Sequence, residues 1–191
     1  MIFERLNTGG TILQPQEIRA CVYHGEFNEL LSELVLIENW RKIFGKENTR
    51  MKEQELILRF FCLYHKYSDF KKILKTFLNT FMSSNKSLQL YSRETLTDLF
   101  QSTIDMIHSA LGDSAFRTGN RLNAAVFDSV MIGLAKRIST NGSSIDTSKL
   151  KAAYDELRAN EEYKIFVSSS TSSESSVKGR IELAIEVFKN I

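Results

Sequence analysis

One proline, Pro15, stands among 191 residues, and from there to the C-terminus apolar side chains recur at helical spacing. Proline interrupts helices, and turn-rich β architectures need it together with glycine; with nine glycines besides, the chain is built for long helices. The fold class expected is all-α: an irregular multi-helix bundle of about eight helices, preceded by a short irregular or strand-like N-terminal segment. A chain of this length buries one substantial core, so residues 1–191 are expected to form a single helical domain, or two packed lobes, 1–84 and 85–191.

The periodicity predicts a first helix over Pro15–Tyr23 with Ile18, Cys21 and Val22 inward, after Ile12 and Leu13 have entered the core. A second helix is expected over Glu26–Asn39 with Phe27, Leu30, Leu31 and Leu34 on one face, and Trp40 as a core anchor at its end. The stretch Lys52–Tyr67 is apolar on more than half its circumference and is expected at the centre. Ser68 or Asp69 is expected to cap a helix carrying Phe70, Ile73, Phe77 and Phe81. Ser92 with Thr95 opens a helix to Leu111, Asn120 or Asn123 the next, and Asp146 one that runs to Ala159. Asn160 starts a short helical turn to Phe166. Ser168–Ser176, with seven serines, reads as a mobile stretch before a last helix, Val177–Phe188.

Composition removes several function classes. The net charge of +2 supplies no bulk attraction to nucleic acid, although local basic clusters remain open. Cys21 and Cys62 are too few for a disulfide framework or a zinc site and read as buried thiols in a reducing cytoplasm. His24, His65 and His108 share no metal-binding spacing, and no run reaches the ~18 apolar residues of a membrane span. The N-terminus lacks the charged and apolar regions of a signal peptide. No catalytic residue is nominated: neither a Ser-His-Asp nor a Cys-His order can be argued.

The unusual residues gather in the first nineteen. Gly9-Gly10 permits a sharp turn, Pro15 suits the first turn of a helix, and Arg5, Asn7, Thr8, Gln16, Glu17 and Arg19 surround them. The plain reading is a structural turn feeding a helix. The sharper one is an anion site, with free N–H groups at the turn and helix start and Arg5 and Arg19 beside them. It is not a Walker loop, since the Gly-Lys-Ser/Thr is missing.

The run Phe3, Arg5, Leu6, Asn7, Gly9, Gly10, Leu13, Gln16, Glu17 and Arg19 resembles the IFxRLNxGGxxLxxQExR signature of the GmrSD-type restriction endonuclease N-terminal domain family. Weaker similarities follow at Arg50-Met51, Glu55, Leu58 to Phe60, Phe77 to Asn79, Phe81-Met82 and Arg180-Ile181. The resemblance implies the helical part of an NTP-dependent restriction or phage-defence protein. It also implies an NTP with a divalent metal, and a ParB/sulfiredoxin-like front half. That half's Asp-Gly-Gln-Gln-Arg motif has no counterpart here, so the chain alone is expected neither to catalyse nor to bind nucleotide well. Arg5, Asn7, Thr8, Gly9, Gly10, Gln16, Glu17 and Arg19 then form the nucleotide-phosphate wall. Arg121 and Asn123 match an Arg–Asn pair that recurs in the family.

Arg59 interrupts the most apolar run, and pairing with Glu55 at i,i+4 is its plain explanation, against projection toward the entry segment. Lys66, Lys71, Lys72 and Lys75 form a basic face that reads as solvated or phosphate-contacting. Two other functions stay open: a helical module whose Lys71, Lys72, Lys75, Arg117, Arg121, Lys178 and Arg180 contact DNA or a partner nuclease domain, and an inactive truncated remnant. The remnant would self-associate through an apolar patch near Ile2, Phe3 and Leu6. No membrane partner is expected.

Overall fold

The computed structural model describes residues 12–71 and 73–191. Among them ten α-helices form: α1 Pro15–Val22, α2 Glu26–Leu34, α3 Glu38–Phe44, α4 Lys52–Lys66, α5 Leu74–Ser84, α6 Arg93–Leu111, α7 Ala124–Asn141, α8 Thr147–Ala159, α9 Glu161–Ser168 and α10 Glu174–Phe188. The class is all-α, with two more helices than expected. Its one sheet among these residues is a two-residue hairpin, β1 Arg117–Thr118 against β2 Arg121–Leu122, turned by Gly119 at φ 59°.

Side chains satisfy the helix starts where the sequence offers a short polar group. Ser92 accepts from the Thr95 N–H, Asp146 from Ser148, and Asn160 from Tyr163. Asn123, rather than Asn120, caps α7, accepting from Ala125 and Val126. Ser173 caps α10, which starts three residues earlier than expected, so the last third of the serine-rich stretch belongs to that helix. The expected second helix is two helices, broken by a turn at Val35–Ile37. Ser68 and Asp69 belong to a separate 3-10 turn, and α5 begins only at Leu74, leaving Ile73 63% exposed.

One continuous core runs from Phe27 to Phe188. Trp40 anchors one end, packed against Phe44, Phe100 and Phe127. The deepest helix is α7, not α4: every residue from Ala125 to Ala135 is buried, Asp128 and Ser129 included. Its partner is α10, which comes close because Gly133 has no side chain. A Cβ there would sit 2.8 Å from the Ala184 backbone carbon. None of the described helices is long and apolar enough to cross a membrane.

The first helix is turned inside out relative to the sequence reading. Its buried residues are Gln16 and Arg19, whereas Ile12, Leu13, Cys21 and Val22 are exposed and Ile18 is half-buried. The apolar stripe did not choose the buried face. Arg19 did, because Glu55 and Asn79 wait for it on α4 and α5.

Candidate functional site

The polar side of α1, the start of α4 and the start of α7 enclose a cavity of about 450 Å³. Local backbone geometry aims the chain into it. Met51, the residue before α4, holds the left-handed conformation at φ 57°, and the Asn48 side chain accepts from the Arg50 N–H at 2.9 Å. Together they fold Arg50 back toward α1.

Two charge clusters border the cavity. In the first, Arg19 donates through Nη1 to Gln16 Oε1 and to Glu55 Oε2, both at 2.9 Å, and through Nε to Asn79 Oδ1 at 3.0 Å. Arg50 donates through Nη2 to Glu17 Oε2 at 2.9 Å and also to the Ile12 carbonyl oxygen. The Gln14 N–H closes onto the Glu17 carboxylate, and that bond, helped by Arg50, holds the carboxyl below its usual pKa. Gln16 is buried, and its Nε2 finds no acceptor among the described residues; nor does Arg50 Nε.

The second cluster lies behind the first. Arg59 grips Asp128 with two parallel bonds, Nε to Oδ1 at 3.1 Å and Nη2 to Oδ2 at 2.6 Å. Arg180 reaches the same Oδ2 at 2.9 Å and donates through Nη1 to the Thr171 carbonyl oxygen at 2.6 Å. Bidentate guanidinium–carboxylate bonds are the strong, geometry-fixing kind. Burial is the largest influence on Arg59 and lowers its pKa, but the charge and hydrogen bonds of Asp128, with Glu55, more than reverse it. Two guanidinium groups therefore share one buried carboxylate, and a positive charge is left over at the cavity's inner end.

The expected Arg59–Glu55 pairing is replaced. Glu55 serves Arg19, and Arg59 turns to Asp128, 69 positions away in sequence. Of the sequence-nominated residues, Gln16 and Arg59 line the cavity, Glu17 and Arg19 hold its lining residues Arg50 and Glu55, and Arg180 lies behind Asp128. Asn123 sits at the α7 cap beside it and donates to the Val167 carbonyl oxygen at 3.0 Å. Arg121 is exposed on β2 and takes no part. Arg5, Asn7, Thr8, Gly9 and Gly10 lie outside the described residues, as does the apolar patch at Ile2, Phe3 and Leu6.

The basic residues nominated for nucleic acid disperse. Arg180 is fully buried, Arg117 donates to the Ile43 carbonyl oxygen, Lys178 pairs with Glu174, and Lys72 lies outside the described residues. Sequence reading missed Asp128 as a site residue. Its signal was available: one acid within an uninterrupted buried helix needs a cationic partner. Arg50 and Asn79 were singled out only as matches to the resembled family.

Chemically the cavity suits an anion. Among the described residues Arg50, Lys52 and Arg59 line it with one carboxylate, Glu55, and it opens at the N-terminal turn of the fifteen-residue α4. No group of three or more metal-ligating side chains occurs among the described residues. No protein-family model, curated protein or solved structure matches the chain.

Proposed function

We propose that the chain is the helical part of an NTP-dependent restriction or phage-defence protein, and that the cavity beside α1 is one wall of a nucleotide-phosphate pocket. The supporting observation is the charge around the cavity among the described residues: Glu17 pairs with Arg50, Glu55 with Arg19, and Arg59 shares Asp128 with Arg180, which leaves Lys52 at the helix start and one guanidinium charge unmatched. Lys52 and Arg50, whose Nε has no partner among the described residues, are the phosphate-facing groups in this reading, and Arg59, held by Asp128, adds charge from behind. Arg19 positions α1, since Gln16, Glu55 and Asn79 already occupy its guanidinium. The segment carrying Arg5, Asn7 and Gly9-Gly10 would complete the near side, and a separate nucleotide-hydrolysing half the far side. That half would supply any metal-assisted chemistry.

The test is binding of a fluorescent ATP analogue with Mg²⁺, by this chain and by this chain joined to a candidate front half. Charge-assisted bonds of ~1.5–3 kcal/mol each predict a loss of roughly ten- to a hundredfold for Arg50→Ala or Lys52→Ala. Undiminished affinity when Arg50→Ala and Lys52→Ala are combined, or no binding even with the front half, refutes the reading.

A further inference from the structure

A second concavity lies one to two turns further along the same face of α4, past Arg59, and shares no lining residue with the first. It measures about 710 Å³, within the range of small-molecule sites, and runs along the outer face of α5 beside the end of α4. Its walls are Phe77 and Phe81, and its two ends are Ile73, 63% exposed, and Leu90, 54% exposed. These exposed side chains are held in place rather than left over. Buried Asn85 accepts from both the Leu90 and Tyr91 N–H groups, and Leu88 adopts φ 53° in the same turn, so the backbone is constrained to present Leu90. Along its solvent-facing edge Thr76, Thr80 and Ser84 recur every four residues, giving a channel as long as α5, roughly 16 Å at 1.5 Å per residue.

Among the described residues the rim is charged at one end only. Lys66 and Lys71 stand there with Asp69, whose contact with Lys66 is a loose 4.0 Å in solvent. Among the described residues Glu174 also feels Lys71 but is paired with Lys178, so one cation remains in excess beside a mostly apolar channel. Cys62 lies at the base with its Sγ toward the Phe77 carbonyl oxygen at 3.8 Å, and burial pushes its thiol pKa up, so the thiol is no nucleophile and occupancy is non-covalent.

We propose that this groove binds a long-chain carboxylate, its hydrocarbon chain lying over Phe77 and Phe81 between Ile73 and Leu90, its head group at Lys66 and Lys71. An apolar channel with cationic excess at a single end matches a ligand that is apolar along its length and anionic at one terminus. The helical walls offer no row of free backbone donors along which an extended peptide would pair.

The probe is dodecanoate below its micelle concentration, titrated calorimetrically into the full chain. Saturable one-to-one binding is expected, weaker by about tenfold or more for dodecanol or for Lys66→Glu/Lys71→Glu, and absent in Thr80→Trp, which fills the channel from an exposed position. Leu90→Asp provides a second blocking variant should Thr80→Trp unfold. Any of four results overturns the proposal: no saturable binding, equal binding by dodecyltrimethylammonium, undiminished binding by the folded blocking variants, or binding only to anionic vesicles.

Discussion

Arg180 on α10 donates from Nη2 to Asp128 Oδ2 on α7 at 2.9 Å, and neither side chain reaches solvent. Because Arg59 holds the same carboxylate, the two arginines are not equivalent to the aspartate. Asp128→Ala leaves two guanidinium groups facing each other in the interior and should cost about 3–5 kcal/mol. Arg180→Met leaves a balanced Arg59–Asp128 pair and should cost markedly less. Urea denaturation of the two variants checks the order; equal losses would show that Asp128 does not hold the cluster together.

Two glycines separate backbone contact from side-chain contact. Gly133→Ala drives a methyl into the Ala184 backbone, which cannot yield without moving α10, and should destabilise by about 1–3 kcal/mol. At Gly179 the added methyl meets only the ring edge of half-buried Phe166, a side chain that can swing aside. The helix-propensity gain of about 1 kcal/mol then offsets the crowding. Thermal unfolding should place Gly179→Ala near the wild type and Gly133→Ala well below it.

Asn123 has two tasks in the structure, capping α7 and donating to Val167. Asn123→Ala removes both and should cost about 1–2 kcal/mol. Asn123→Asp keeps the acceptor but loses the donor, and should fall between. Chemical denaturation measures this series. A stable Asn123→Ala variant that nevertheless loses nucleotide affinity would move the residue from scaffold to binding group.

His65 stacks on Tyr91 with ring centroids 3.7 Å apart. Burial first, then the nearby Lys136 and Lys66, push its pKa down to about 4. The unfolded chain takes up this proton near pH 6.5 and the folded chain only near 4. The folded state therefore loses stability as pH falls through that window and has it in full above it. The partly exposed ring reduces the effect to on the order of 1–2 kcal/mol. His65→Phe keeps a stacking ring and should flatten stability between pH 6.5 and 4; an unchanged slope would assign the acid sensitivity to other groups.

The helix caps were legible in advance because each depends on a side chain and an N–H two or three residues away. Ser92, Asp146 and Asn160 illustrate this, and so does the all-α class, which follows from apolar spacing and a lone proline. Gln16, Glu17 and Arg19 were singled out as a group by their position around Pro15; of the three, Gln16 lines the cavity, while Glu17 and Arg19 are bonded to its lining residues Arg50 and Glu55.

What remained hidden depends on distance along the chain. Arg59 had a sterically acceptable partner four residues away in Glu55, and only the approach of α7 supplied Asp128 and released Glu55 to Arg19. The same competition turned α1 over. Judged alone, that helix should bury Ile18, Cys21 and Val22, but an arginine finding Glu55 and Asn79 outweighs a short apolar stripe. Sequence by itself determined the starts capped by Ser92, Asp146 and Asn160 and that the helices pack, since these are local or depend on simple periodicity, whereas the starts of α3, α5 and α10 were not legible in it. Which face of α1 is buried, which acid each arginine holds, and where two cavities open were decided by tertiary structure, because a buried charge takes the partner that packing brings nearest, not the nearest one in the chain.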